Sequence, residues 1–205
     1  MDVKNGTIIM SEKQTYHKNT EEVEHEKSLI VKAQNNPKDF KPLYDQYFLQ
    51  IFKYIIRRVK DENTAAEITS DVFAKAIFKI KVYQFKGLPF SSWLYRIAQN
   101  QIADYYRKNK SRKNIRVSET QLNYLIDNSE ESINTLPYKE DQMDQLIASL
   151  RSLSDNELEL IEMRFFEERS YKEMAEILNI TEGNARIRTH RSLNKLKNDI
   201  KHIAL

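Results

Sequence analysis

The sequence predicts an all-α protein in which two small helical domains are joined by an acidic linker. Apolar residues recur at steps of three and four on both sides of residues 114–141, which is the spacing of one helix face. Residues 114–141 themselves are rich in Asn, Ser, Glu and Asp and show no such period. We therefore predict a disordered tail over residues 1–27, a first domain over 28–113, the linker over 114–141 and a second domain over 142–205.

Three amphipathic helices are predicted in the first domain. The first spans residues 40–60 and turns a stripe of Phe, Leu, Tyr, Ile and Val inward. A capping box at Thr64–Glu67 opens the second, and the third begins near Ser91 and ends in a run of Lys and Arg. Gly and Pro within residues 83–91 predict a loop before the third helix, and three such helices can share one small core.

The second domain carries stronger local signals. Ser154–Glu157 and Ser170–Glu173 both have the spacing of a capping box, and the helix after the first box is expected to bury Phe165. Asn179 follows the next helix at a position that needs a left-handed residue, a conformation that Asn tolerates.

Charge is segregated along the chain although the net charge is only +3. Residues 41–116 hold 16 Lys or Arg against 6 Asp or Glu, a net charge of +10. Residues 117–163 carry a net charge of −9 and residues 181–205 carry +4. Two basic bodies separated by an acidic stretch favour binding to a polyanion such as nucleic acid, although solvated helix faces would give the same composition.

The composition excludes most cofactor enzymes. The chain has no Cys, and its three Gly are too far apart for a phosphate-binding loop of the dinucleotide or Walker type. Four scattered His form no metal-ligand pattern, and no apolar stretch approaches the roughly 18 residues of a membrane span. Glu67 and Asp71 share a helix face, but no other residue of a catalytic pocket accompanies them. We expect no catalytic residue, no cofactor, no metal and no membrane insertion.

Residues 170–196 have the sequence pattern of a helix-turn-helix. A short capped helix is followed by the turn Asn-Ile-Thr, and the next helix places Arg186 four residues before His190 and Ile187 four before Arg191. Arginines on an exposed helix can pair with guanine in the major groove of DNA. An ordinary helical hairpin with exposed arginines is the alternative.

A second nucleic-acid signal lies in residues 83–108. Aromatic side chains are mixed there with Lys and Arg, a composition that stacks unpaired bases and follows a single-stranded backbone. Arg96, Asn100 and Arg107 fall on one helical row, where they suit phosphates and base edges. Trp93 continues an apolar stripe and is better explained as a core residue.

Together these motifs resemble regions 2 and 4 of the sigma factors of bacterial RNA polymerase. Residues 66–73, the loop and residues 90–100 are similar in order to region 2, and residues 170–191 are similar to the helix-turn-helix of region 4. The chain is identified as a member of the extracytoplasmic-function (ECF) group of the sigma-70 family, which keeps only these two regions.

The resemblance implies that the first domain binds core RNA polymerase and recognises and melts the −10 element, while the second reads the −35 element. It implies core polymerase and promoter DNA as partners in the bacterial cytoplasm, with an anti-sigma factor as a further candidate. The residues expected at the duplex −35 element are Lys172, Thr181, Asn184, Arg186, Ile187, His190 and Arg191. Those expected at the single-stranded −10 element are Tyr83, Phe85, Lys86, Arg96, Asn100 and Arg107, and those expected at the polymerase are Glu67, Asp71, Phe73 and Phe78.

The predicted function is therefore that of a sigma factor that directs core polymerase to promoters and stabilises the open −10 strand. Two other classes stay open. A stand-alone helix-turn-helix regulator would bind duplex DNA tightly without polymerase, and a helical scaffold would not use its arginines for DNA binding.

Overall fold

The computed structural model describes residues 20–109, 148–150 and 152–203, and within these ranges the chain forms helices and turns with no strand. Residues 1–19 of the predicted tail and the whole predicted linker over 114–141 lie outside the described residues. We call residues 20–109 the N-terminal unit and residues 148–203 the C-terminal unit. The α-helices are α1 (Thr20–Asn35), α2 (Lys41–Val59), α3 (Glu62–Lys79), α4 (Phe90–Lys108), α5 (Asp155–Ile161), α6 (Tyr171–Leu178) and α7 (Glu182–Ile203).

Helix α1 shows that the prediction of a disordered tail is wrong for residues 20–27. Glu26 is only 1% exposed, and its carboxylate accepts a hydrogen bond of 3.0 Å from the backbone N–H of Phe90. Phe90 begins α4, and the preceding Pro89 has no side-chain group that could cap it. Glu26 thus satisfies an amide at the start of a helix 64 residues away, a role that no local pattern could reveal.

The core of the N-terminal unit is the apolar stripe predicted for its three helices. Phe40, Phe73 and Phe90 meet edge to face, with ring centroids 6.1 to 6.5 Å apart. The start of α3 differs from the prediction, because Asp61 caps it: its carboxylate accepts a bond of 2.7 Å from the Thr64 N–H. Thr64 therefore lies inside the helix, and the predicted capping box at Thr64–Glu67 is wrong.

Local signals in the C-terminal unit are largely confirmed. Both capping boxes form, with Ser154 and Ser170 as N-caps of α5 and α6. Asn179 ends α6 in the left-handed conformation, with φ of 55°. Phe165 is an exception, since a π-helical turn over Glu162–Phe166 follows α5 and leaves its side chain 36% exposed. The wider turn changes the angular position of Phe165, so its prediction as a core residue is wrong.

The two units pack against each other, chiefly through α4 and α6. Leu160, Met163, Met174 and Ile177 belong to the same buried cluster as the apolar residues of the N-terminal unit. The all-α architecture of two helical domains is confirmed. Their shared interface differs from the sequence prediction, which gives two separate bodies joined by a linker.

Candidate nucleic-acid interface

A helix-turn-helix is present where the sequence predicts it. Helices α6 and α7 meet at Asn179, where the Ile180 N–H donates a 3.0 Å bond to the Ala175 carbonyl. Ala185 is completely buried at the crossing. The Thr181 hydroxyl accepts a 3.2 Å bond from the Asn184 N–H, so Thr181 caps α7 as expected.

One face of α7 is open to solvent and carries the residues predicted to read duplex DNA. Arg186, His190 and Arg191 are exposed, and Ile187 is 52% exposed although it is apolar. The opposite face of α7 buries small and apolar side chains, namely Ala185, Thr189, Ser192 and Leu196. The helix is therefore held by one side while four neighbouring side chains point outward, as insertion into a groove requires.

Neighbouring side chains restrain this face. The Arg186 guanidinium lies 5.2 Å from the centre of the Tyr171 ring and 3.6 Å from the Glu182 carboxylate. A nitrogen of the His190 ring lies 3.2 Å from the Asn194 side-chain amide. Asn184 is the acceptor of a 2.9 Å bond from Arg188. Lys172, the remaining member of the predicted −35 set, is exposed at the start of α6.

The aromatic residues of the second signal divide into a buried and a partly exposed group. Phe90 and Tyr95 are completely buried, while Tyr83 and Trp93 pack together at 4.5 Å with part of their surface open. Burial raises the pKa of the Tyr83 hydroxyl well above its usual value, with Glu26 and Glu176 adding to the effect. Phe85 is half-buried under the Lys27 ammonium. Tyr83, Phe85 and Trp93 thus retain accessible surface, as do Tyr105 and Tyr106 near the end of α4.

Of the polar residues predicted in the same segment, two are open to solvent and two contact the C-terminal unit. Asn100 is exposed, and Arg107 is 79% exposed and pairs with Asp104 at 2.9 Å. Lys86 and Arg96 instead contact the C-terminal unit. The Lys86 ammonium and the Arg96 guanidinium lie 2.8 Å and 3.1 Å from the two carboxylate oxygens of Glu176.

The surroundings of Glu176 favour the ionised form of its carboxyl group. Partial burial would favour the neutral carboxyl, but hydrogen bonds and attraction from Lys86 and Arg96 outweigh burial and lower its pKa below the usual value. Arg96 also donates a 2.7 Å bond to the Asn179 side-chain oxygen at the helix-turn-helix corner.

The predicted polymerase-binding residues are mostly on one surface. Glu67, Asp71 and Phe78 line a groove of about 480 Å³ between α3 and α4. Phe78 is 86% exposed, which is unusual for so large an apolar side chain. Phe73 differs, because it is 2% exposed inside the core and offers no surface to a partner. Its assignment to a binding surface is therefore corrected to a packing role.

A buried ionic network, which the sequence does not indicate, lies between the units. Arg58 on α2 is completely buried, and its guanidinium lies 2.7 Å from Glu162 and 3.3 Å from Glu159. Glu159 also accepts bonds from the Tyr54 hydroxyl at 2.6 Å and the Gln99 amide at 3.0 Å. Burial alone would lower the pKa of Arg58, but the neighbouring carboxylates raise it above its usual value, so the guanidinium keeps its charge.

A second buried arginine extends the network. Arg169 lies 4.1 Å from the centre of the Tyr95 ring on α4 and 2.6 Å from the Glu167 carboxylate. No local pattern distinguishes Arg58 or Arg169 from solvated basic residues, since each is buried by a partner distant in sequence.

The described residues contain neither a metal-binding group of side chains nor a helix that could span a membrane. Within these ranges no three His, Asp or Glu side chains are grouped so that they could hold a metal ion. No helix there is long and apolar enough to cross a membrane.

Comparison with protein families finds two matches in the order that the sequence predicted. Residues 43–112 match the model of sigma-70 region 2, and residues 149–198 match that of sigma-70 region 4. The first match spans 70 residues and the second 50, so together they cover 120 of the 205 residues.

Curated relatives and a solved structure are similar over most of the chain. The ECF RNA polymerase sigma factor BldN of Streptomyces coelicolor is 28% identical over 82% of this chain, which spans 63% of its length. SigM of Bacillus subtilis, also an ECF RNA polymerase sigma factor, is 26% identical over 76% of this chain and 91% of its own. The structure of CnrH in complex with the cytosolic domain of CnrY aligns with a TM-score of 0.54 at 19% identity, covering 85% of this chain and 96% of the other, and supports the fold.

Proposed function

The chain belongs to the sigma-70 family, as an ECF sigma factor with regions 2 and 4, and from this membership we propose that it binds core RNA polymerase and directs it to specific promoters. The observation that carries the proposal is the presence of both regions in one chain, the second with an open recognition helix. A stand-alone regulator would need only the helix-turn-helix. That alternative gives no role to the N-terminal unit or to its groove with the exposed Phe78.

Each predicted surface has a separate task in this proposal. Arg186, Ile187, His190 and Arg191 enter the major groove of the −35 element, because they form the exposed face of α7. Basic residues around α4 and the rings of Tyr83 and Phe85 hold the non-template strand of the −10 element. The role is one of binding, and melting consists of capturing the open strand.

The polymerase itself docks on the groove of α3 and α4. Glu67 and Asp71 give that groove exposed carboxylates, and Phe78 gives it an apolar anchor. The site of action is the bacterial cytoplasm, where core polymerase works. An anti-sigma factor is a further proposed partner, and it would have to cover one of these same surfaces to act.

Run-off transcription tests this function. Purified chain and core polymerase are mixed with genomic fragments of the encoding organism, and the start sites are mapped. On a template with a mapped promoter, Arg186→Ala and Arg191→Ala are each expected to weaken promoter binding by about 1–3 kcal/mol, roughly 5- to 150-fold. Lys38→Ala removes one exposed positive charge far from α7 in sequence and serves as the matched control.

The results separate the proposed function from the stand-alone regulator. A sigma factor co-elutes with core polymerase in gel filtration and gives promoter-specific transcripts. Tight binding of a duplex operator by the isolated chain, with no co-elution, would instead favour the regulator. Normal transcription by both arginine variants would show that α7 does not read the promoter through these residues.

A further inference from the structure

We propose that the C-terminal unit keeps the chain autoinhibited by placing the Glu176 carboxylate on the two cations that bind phosphates of the −10 strand. We call the contacts of Lys86 and Arg96 with Glu176 and Asn179 the clasp. The inference rests on the proposed function, because it takes Lys86 and Arg96 to be −10 residues.

The geometry of the clasp imitates a phosphate contact. One Glu176 oxygen lies 2.8 Å from the Lys86 ammonium and the other lies 3.1 Å from a terminal nitrogen of Arg96. The second terminal nitrogen of Arg96 donates to Asn179 at 2.7 Å. A phosphate oxygen would take the same donors at the same distances. A DNA strand and Glu176 therefore compete directly for these two side chains.

The helix-turn-helix is part of this competition. Asn179 is the left-handed residue that sets the angle between α6 and α7, and it also accepts a hydrogen bond from Arg96. The unit that reads the −35 element thus lies on the residues that hold the −10 strand. In this arrangement region 4 blocks part of region 2, and the two cannot occupy separated promoter elements until the interface opens.

The clasp itself does not hold the units together. Lys86 is 54% exposed, and an exposed ion pair contributes little to stability. The buried network around Arg58 and the apolar contacts of Met163 and Met174 hold the closed arrangement. Glu176 has the separate task of neutralising the phosphate-binding cations, so removing its charge should expose them without unfolding the protein.

Single-stranded DNA binding by the full chain measures this effect. The probe is a fluorescein-labelled single-stranded 15-mer of mixed sequence, and binding is followed by fluorescence anisotropy from 50 to 200 mM NaCl. Glu176→Gln should tighten binding by about tenfold at the lowest salt. With two more phosphate contacts available, the logarithm of affinity should fall more steeply with the logarithm of salt, by about 1.4 in slope.

Asp45→Asn is the matched control for charge. Asp45 is exposed and pairs with Lys41 on its own helix, and neither residue belongs to a predicted DNA-binding set. The control should leave the affinity within about twofold and the salt slope unchanged. Equal affinities and slopes for wild type, Glu176→Gln and Glu176→Ala would overturn the proposal, provided that circular dichroism shows all three folded.

The distance between the units provides a second measurement. The chain contains no Cys, so a donor and an acceptor dye can be attached at Lys38→Cys and Lys197→Cys, both exposed positions. Energy transfer should decrease when core polymerase is added, because the units separate. Unchanged transfer in a chain that co-elutes with polymerase would overturn the proposal. Failure to co-elute would contradict the proposed function instead, and the single-strand comparison would still decide whether Glu176 masks the cations.

Discussion

Replacing Arg58 tests whether the buried network joins the two units. Arg58→Met keeps most of the side-chain length but removes the guanidinium, which donates to Glu162 at 2.7 Å and to the Tyr54 carbonyl at 3.0 Å. Glu162 retains Arg57 at 2.8 Å, and Glu159 retains the Tyr54 hydroxyl and the Gln99 amide. Both carboxylates are no more than 5% exposed, and both lose the guanidinium that contacts them in wild type.

The expected cost follows from the charge left behind. Removing one partner of a buried ion pair typically costs about 3–5 kcal/mol, because the remaining charge stays desolvated after its attraction to that partner is lost. For a chain of this size each kcal/mol corresponds to roughly 2–4 °C in melting temperature, so the melting temperature should fall by about 6–20 °C. The lost contacts join α2 to the C-terminal unit, so the units should also unfold less cooperatively.

Differential scanning calorimetry measures both effects. We expect a lower melting temperature and a second, separate transition in Arg58→Met, and we expect Arg58→Lys to lie between the variant and wild type because it keeps the charge. In a double-mutant cycle, Glu162→Gln should cost less in the Arg58→Met background than in wild type. A melting temperature within 2 °C of wild type, with one transition and no coupling, would refute the reasoning.

Three further predictions concern single elements. Ser170→Ala removes the N-cap of α6, whose hydroxyl accepts from the Glu173 N–H at 3.2 Å, and should lower the free energy of unfolding in urea titrations by about 1 kcal/mol; no loss would argue against the cap. Partial burial would raise the pKa of Glu157, but hydrogen bonds from Ser154 and the interactions with Lys195 outweigh burial and lower it. The ionised Glu157 carboxylate therefore stabilises the fold fully above the unfolded pKa of about 4.3, and this stabilisation disappears as pH falls through the folded pKa. Urea titrations of wild type and Glu157→Gln should therefore converge at acid pH, and a constant difference would contradict this. Phe78→Ser should weaken core polymerase binding by about tenfold or more in competition assays without lowering the melting temperature. Leu49→Ser, at another exposed apolar position, should leave polymerase binding unchanged. Equal affinities of the two variants would exclude Phe78 as an anchor.

The elements that could be predicted from the sequence are those whose signals are local. The boxes of Ser154 and Ser170 and the left-handed Asn179 each depend on contacts within a few residues, and all three are present. At the start of α3 the predicted box begins at Thr64, whereas Asp61, three residues earlier, accepts the bond from the Thr64 N–H. Local rules identify that a helix begins there but not the residue that caps it.

The missed features share a different cause. The polar neighbours of Glu26 predict a tail, yet Glu26 caps α4 from 64 residues away. The charge segregation predicts that cations such as Arg58 are available to a polyanion, yet Arg58 is buried against carboxylates 101 and 104 residues along the chain. A charge pattern specifies which residues are charged. It does not specify whether each charge is balanced by ions in solvent, by a ligand or by another side chain of the same protein.

That distinction changes the meaning of the charge segregation. The net charge of +10 over residues 41–116 includes Arg58, Lys86 and Arg96, and all three have carboxylate partners on the C-terminal unit. A basic surface that suits phosphates is also complementary to acidic side chains, so a second domain with an acidic face can cover it. An exposed ion pair contributes little to stability, so the interface gains little from the contacts of Lys86 and Arg96 with Glu176. In the arrangement that we propose, these contacts close in the free chain and open when polymerase and DNA supply competing ones.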